Sequence, residues 1–234
     1  MTAAAPDDVG DRYRAVRERL ATACRDAGRS PDEVVLVGAC KRQSIERLRA
    51  AWEAGLRVFG ENRVQEAEAK RPQMPADCDW HLIGPLQSNK VNKAVQLFST
   101  VHSIDRLKIG RALDRAAGLA GVEVDGFLEV NIGEEPSKHG FSPAELPRQA
   151  GELSGLDHLR IVGLMAIPPF EQEPARARGW FDRLRGLRDE LADRPEWSGF
   201  PGRLSMGMSH DFELAVAAGA THVRVGTDLF GVRP

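Results

Sequence analysis

Eight short apolar runs recur along the chain, at Val34–Cys40, Val58–Asn62, Trp80–Gly84, Thr100–Ile104, Gly126–Ile132, Leu159–Ile167, Arg203–Met208 and Thr221–Thr227. Most are rich in Val, Ile, Leu and Phe, and all are of strand length, which predicts strands. Arg203–Met208, interrupted by Ser and Gly, has the faintest strand signature. Between the runs, apolar positions fall three and four residues apart. Ser44–Ala54 places Ile45, Leu48 and Trp52 on one face and stops at Gly55. Val64–Lys70, Lys90–Phe98, Asp105–Ala120 and Ala175–Ala192 also read as helices. Ser142-Pro143 predicts a further one, with proline at the first helical position. Ser209 is placed to cap Phe212–Ala218, which ends at Gly219.

Strand and helix alternating in this way predict an α/β chain folded as one (β/α)8 TIM barrel over residues 1–234. An open doubly wound sheet needs fewer strands. Only seven residues follow Thr227, too few for a full eighth outer helix. A helix is left over at the other end, Asp11–Ala27, with Tyr13, Val16, Leu20 and Ala23 at helical spacing. It is expected to cover the gap beside the first and last strands. No linker, low-complexity tract or internal repeat suggests a second domain.

Composition narrows the function classes. A length of 234 residues supports burial of roughly 70–75% of the unfolded surface. A net charge of −2 offers no global field for nucleic acid or an acidic membrane. The longest apolar run, Val34–Cys40, falls far short of the roughly 20 residues that span a bilayer. Met1–Asp8 lacks the basic and apolar regions of a signal peptide, and Cys24, Cys40 and Cys78 form no C-x-x-C pair. These features predict a cytoplasmic protein with reduced thiols. None of the six histidines has a metal-binding spacing, so no metal site is expected.

Candidate chemistry gathers where strands end, which in such barrels is where sites form. Lysine is scarce, six of 32 basic residues, yet Lys41 ends the first strand. Alternation puts Val35, Val37, Ala39 and Lys41 on one face. If Val35 and Val37 fill the interior, Lys41 points into the mouth as an amine able to form an imine. The competing reading is a lysine that snorkels to solvent. Arg224 alternates with Val223 and Val225, so it faces the other way, into the barrel. An interior arginine implies a ligand, or an ion pair with Glu61 or Glu129. Ser205-x-Gly207-x-Ser209 and Gly226-Thr227 end the last two strands, the habitual phosphate site of these barrels. Asp211 and Asp228 must then point away. An interior lysine, an interior arginine and a phosphate cradle together match pyridoxal 5′-phosphate (PLP), which offers an aldehyde, a ring nitrogen and a phosphate.

Longer motifs join these residues: Phe59-Gly60-Glu61-Asn62 with Val64-Gln65-Glu66, His81-Leu82-Ile83-Gly84-Pro85-Leu86-Gln87-Ser88-Asn89-Lys90, Val130-Asn131-Ile132, Gly163-Leu164-Met165, Leu204–Ser209 with Asp211, and Arg224-x-Gly226-Thr227 with Phe230-Gly231. Over nearly its whole length the chain resembles the pyridoxal phosphate homeostasis proteins, single-domain relatives of the N-terminal barrel of alanine racemase. The resemblance implies an alanine racemase N-terminal-domain-like barrel that binds PLP, with Lys41 as the imine lysine and Arg224 at the ring nitrogen. It also implies that Ser209, Gly226 and Thr227, with backbone around Met206 and Gly207, hold the phosphate, and that Asn62 and Met165 line the ring. His81 and Lys90 belong to the motifs without an assigned role. Two departures are visible. Cys40 stands where a hydroxyl residue is common and is expected to point away from the mouth. His210 replaces a polar or acidic residue at a position expected to face solvent.

A two-base racemase needs a proton-transfer group on each cofactor face. The chain has one tyrosine, Tyr13, and a second domain to supply another is not expected. A guanidinium beside the ring nitrogen makes the ring a weak electron sink. The expectation is therefore a non-catalytic PLP carrier in vitamin B6 homeostasis, monomeric, delivering cofactor to PLP-dependent apoenzymes. The alternatives are a PLP-dependent amino-acid racemase of alanine-racemase type, and a lysine-dependent aldolase for a sugar phosphate.

Overall fold

A computed structural model describes residues 8–231; of Met1–Asp8, only Asp8 is among them. Eight parallel strands close into a barrel in sequence order: β1 (Val35–Ala39), β2 (Val58–Glu61), β3 (Asp79–Leu82), β4 (Thr100–Ile104), β5 (Val124–Glu129), β6 (Leu159–Met165), β7 (Arg203–Met208) and β8 (His222–Val225). β8 closes on β1 with Val35 opposite His222 and Val37 opposite Arg224. Each of the eight predicted strands is present, the faint seventh with its predicted ends. β5 starts earlier than expected because Val124 already pairs with Leu159 of β6. It stops at Glu129 rather than Ile132.

Helices α2 (Ile45–Glu53), α3 (Val64–Lys70), α4 (Val91–Leu97), α5 (Leu107–Ala120), α6 (Leu146–Ala150), α7 (Pro174–Ala192) and α8 (Phe212–Ala217) return the chain between strands. Their apolar faces and the outward strand residues form one core around Phe59, Leu48, Leu113, Phe181 and Phe212. Two expectations need correction. The helix expected from Pro143 begins at Leu146; Ser142 is followed by a turn, and the proline near the helix start is Pro147. Ser209 does not cap α8. Asp211 is the N-cap residue, and its Oδ1 accepts the Met208 N–H at 2.7 Å.

The leading helix, α1 (Asp8–Asp26), buries Val9, Val16, Leu20, Ala23 and Cys24. It packs on α2, α8 and the short α9 (Thr227–Phe230), covering the flank beside β1 and β8 as expected. Its Arg19 pairs with Glu213 of α8 at 2.6 Å and Asp228 of α9 at 2.5 Å, tying the last two βα units together.

The barrel interior is less apolar than the alternation of Val35 and Val37 suggested. Val37, Phe127, Val162 and Met165 are buried there, but so are His81, His102, Ser205, His222 and Arg224. The His102 ring stacks on Phe127 at 4.5 Å between centroids, and His222 meets Phe127 edge-on at 5.0 Å. Aromatic packing lets imidazoles fill space as phenyl rings do, provided their nitrogens find partners.

Candidate functional site

β1 delivers Lys41 to the mouth through a tight turn in which Gln43 N–H donates to Cys40 O at 3.0 Å. Arg42, next to Lys41, has φ +58, a left-handed conformation that costs a residue with a Cβ about 1 kcal/mol. Its N–H donates to Glu66 Oε2 at 2.8 Å, which holds the turn. Behind it lies a buried cluster. Lys70 Nζ donates to Cys40 O at 2.9 Å and to Glu61 Oε1 at 2.5 Å, and reaches Glu66 Oε2 at 3.4 Å. Cys40 is fully buried, and its thiol meets Gly60 O at 3.3 Å and Glu61 Oε1 at 3.2 Å. It therefore points away from the mouth, as alternation requires. Burial pushes the Glu61 carboxyl up while Lys70 draws it back down. Burial also opposes the Lys70 charge, but Glu61 outweighs it and keeps the ammonium.

Lys41, Asn62, Ser209, Arg224, Gly226 and Thr227 line one cavity of about 190 Å3 at the mouth. Ala39, Gln43, Met208, His210 and Gly231 complete its wall. A second groove of about 630 Å3 opens from the other side of Lys41 and Asn62 towards Arg63, Gln87 and Lys90. The remaining predicted residues lie elsewhere. Met165 is buried in the interior with Phe127 and Val162. The Met206 side chain sits in the outer core, leaving only its backbone for the site. Gly207 has φ +89, and a Cβ there would fall 2.6 Å from Ala215 Cβ. The chain bulges at this point: Ser205 pairs with His222 and Met208 with Arg224, three steps on β7 against two on β8. That extra residue turns Met208 and Ser209 over the mouth.

The Ser209 hydroxyl accepts the N–H groups of Gly226 and Asp228, each at 3.3 Å, and so bridges the last two βα loops. Asp211 faces the Met208 amide and Asp228 faces Arg19, so neither carboxylate needs to meet an anion held there. His210 is exposed, as expected, yet it borders the cavity, with its ring 5.2 Å from Phe170. Ser205 does not join Ser209 at the cavity. It is fully buried, with Oγ 2.6 Å from an Arg224 nitrogen and 2.8 Å from His102 Nδ1.

Arg224 is 4% exposed and donates to Ser205 Oγ and, at 3.0 Å, to Ala166 O. The expected alternative, an ion pair with Glu61 or Glu129, does not form. Glu61 is taken by Lys70, and Glu129 acts on Arg224 only at longer range. Burial lowers the guanidinium to about 10, against the pull of Glu129 and Asp211, so it stays charged at neutral pH. A buried cation with neutral partners, a lysine and a hydroxyl on one small wall is a donor set suited to an anionic carbonyl compound. Among the described residues no group of three or more His, Cys, Asp or Glu is placed to hold a metal ion, and no helix is long and apolar enough to cross a membrane.

Sequence reasoning missed Lys70 and the interior histidines. Lys70 shares the buried face of α3 with Val64 and Ala67 at spacings of three, a signal that was present. His222 lies two residues before Arg224, so the alternation that turned Arg224 inward applied to it as well.

Residues 14–234 match the family described as alanine racemase, N-terminal domain. The chain is 41% identical over 224 residues to the pyridoxal phosphate homeostasis protein of Aquifex aeolicus, covering 95% of this chain and 97% of that one. It is 43% identical over 229 residues to the protein of the same name from Pseudomonas aeruginosa, covering 96% of each. Among solved structures it is similar to PipY of Synechococcus elongatus with PLP bound, at a TM-score of 0.80 and 41% identity over 92% of this chain and all of that one. Alanine racemase of Clostridium difficile shares the barrel at a TM-score of 0.73 and 14% identity, over 96% of this chain and 57% of that one.

Proposed function

Since the chain belongs to the pyridoxal phosphate homeostasis protein family, with the alanine racemase N-terminal barrel as its fold, we propose that it binds PLP reversibly on Lys41 and serves intracellular vitamin B6 homeostasis. One observation carries this reading: Lys41, Arg224, Ser209, Gly226 and Thr227, distant in sequence, line a single small cavity. When bound, the cofactor contributes an aldehyde that condenses with an amine and is released again by water.

The chain's own residues have distinct tasks. Lys41 is the covalent anchor, held by the Arg42–Glu66–Lys70 clamp behind its turn. Ser209, Gly226 and Thr227, with backbone at Met206 and Gly207, receive the phosphate. Arg224 faces the ring nitrogen and, being charged, keeps a proton off it, which weakens the ring as an electron sink. Asn62 lies beside Lys41, and Met165 closes the interior beneath.

This supports a carrier rather than a racemase. Tyr13, the single tyrosine, lies with its hydroxyl 3.3 Å from where a Gly55 Cβ would sit. Gly55 follows the C-terminus of α2, and α2 runs back from the mouth, so this phenol is at the opposite end of the barrel. The carrier reading places a monomer of one domain in the cytoplasm, with PLP-dependent apoenzymes as recipients. Incubating the loaded protein with L- and D-alanine in deuterated water tests it. The expected outcome is exchange of the α-proton no faster than with free PLP, together with transfer of cofactor to an added apoenzyme. Rapid exchange on both enantiomers would establish the racemase instead. A wild-type protein that stays colourless after PLP is added would point to a cofactor-free aldolase.

A further inference from the structure

A continuous file of hydrogen bonds runs through the barrel from the mouth to its opposite opening. Arg224 donates to Ser205 Oγ at 2.6 Å, Ser205 Oγ meets His102 Nδ1 at 2.8 Å, His102 Nε2 meets His81 Nδ1 at 2.9 Å, and His81 Nε2 meets Asp79 Oδ2 at 3.1 Å. Ser205, His102 and His81 are at most 4% exposed. Asp79 lies in a cavity of about 390 Å3 at the far end of the barrel, its side chain 45% exposed.

The cation at the mouth sets the direction of the bonds. A guanidinium has donors only, so Ser205 Oγ accepts from Arg224, and its own proton goes to His102 Nδ1. No other acceptor meets Oγ among the described residues. Neutral His102 then carries its proton on Nε2 and donates to His81, which donates in turn from Nε2 to Asp79. The far end is compatible with this direction: the Asp79 carboxylate only accepts, so His81 presents Nε2–H to it, and its Nδ1 lies where the His102 Nε2–H arrives. Burial, reinforced by the Arg224 charge, holds His102 well below the ordinary histidine range, which keeps it neutral. The bond dipoles therefore align from the cation to the anion and strengthen one another.

We propose that Asp79, His81, His102 and Ser205 form a through-barrel positioning relay that fixes the orientation of the Arg224 guanidinium from the far opening. The guanidinium is thus held in place by a neutral hydroxyl and a backbone carbonyl, with no carboxylate in direct contact to compete with a ligand. It rests on the reading that Arg224 faces the cofactor ring. None of the four residues lines the mouth cavity, so each acts through the next.

The test combines two readouts. Nitrogen-15 NMR of the histidine rings in the unloaded full chain is expected to show His102 and His81 protonated on Nε2 and bare on Nδ1. A proton on His102 Nδ1 would overturn the relay. Absorption titration with PLP then compares wild type with Asp79→Asn, Ser205→Ala and Asp125→Asn. Ser205→Ala is expected to weaken binding about tenfold, the loss of one charge-assisted bond. Asp79→Asn, a half-exposed isosteric change remote from the mouth, is expected to weaken it about threefold. Both should move the visible band. Asp125 shares the far opening but pairs with Arg160 and Arg203, so Asp125→Asn should change neither readout. Wild-type affinity and band in Asp79→Asn and Ser205→Ala, or equal shifts for Asp79→Asn and Asp125→Asn, would refute the relay. Failure of the wild type to bind PLP would instead retire the cofactor reading, while the NMR result still decides the relay.

Discussion

His222 is 5% exposed, packed against Phe127 and facing His81 and His102, and burial lowers it from 6.5 to about 3. The folded state refuses a proton that the unfolded chain takes up below its ordinary value. Stability is therefore lost as pH falls below about 6.5 and stops falling near pH 3. Each pH unit in that window costs about 1.4 kcal/mol per such histidine. Between pH of about 7.5 and about 4.5 the loss from His222 alone comes to roughly 3 kcal/mol. His222→Phe keeps a ring against Phe127 and gives up the 2.9 Å contact of Nδ1 with Thr221 Oγ1. That contact is missing at both pH values and cancels when the two are compared. Urea unfolding of wild type and variant, followed by tryptophan fluorescence at the two pH values, is the assay. The wild type should lose roughly 3 kcal/mol more than the variant on acidification. Equal losses would mean that His222 titrates alike in both states, and that the interior is wet rather than packed.

Other consequences are equally concrete. Lys70→Met leaves Glu61 buried without its partner and should cost about 3 kcal/mol or more by denaturant unfolding; it should also slow the trapping of PLP on Lys41, since the turn loses its clamp. Gly179 and Gly186 lie inside α7 with open space where a Cβ would go, so Gly179→Ala and Gly186→Ala should each add about 0.5–1 kcal/mol, read as a higher Tm, without changing PLP affinity. Burial holds the Cys40 thiol well above its usual range, and burial with Asp77 pushes Cys78 up to about 11. Time-resolved alkylation at neutral pH should therefore spare Cys40 until the protein unfolds and label Cys78 only slowly.

Much of the barrel was readable because strand and helix periods are local properties. β4 and β7 keep their predicted ends, and α3 its predicted span. The mouth was readable because a lysine or arginine inside a strand pattern is conspicuous, as Lys41 and Arg224 were. What escaped depends on contacts between distant segments. Whether Ser209 or Asp211 caps α8 cannot be settled by spacing, since both residue types suit the position; the amides of Gly226 and Asp228 claim the serine hydroxyl. Ser205 looked like part of a phosphate turn, but the bulge at Gly207 separates it from Ser209 and leaves it facing inward to Arg224. Met165 fell on the right strand and sits below the cavity wall rather than on it. The histidine file required knowing that β3, β4, β7 and β8 surround one narrow space, which only closure of the sheet provides.

The central claim is that the Lys41 amine is the covalent anchor for PLP. Loading the full chain with PLP, reducing it with borohydride and mapping the modified peptide by mass spectrometry tests this directly. The account predicts a single pyridoxyl group on the peptide that contains Lys41, and none in Lys41→Ala treated in the same way. A reduced adduct on Lys70 or Lys90, or one that persists unchanged in Lys41→Ala, would contradict it.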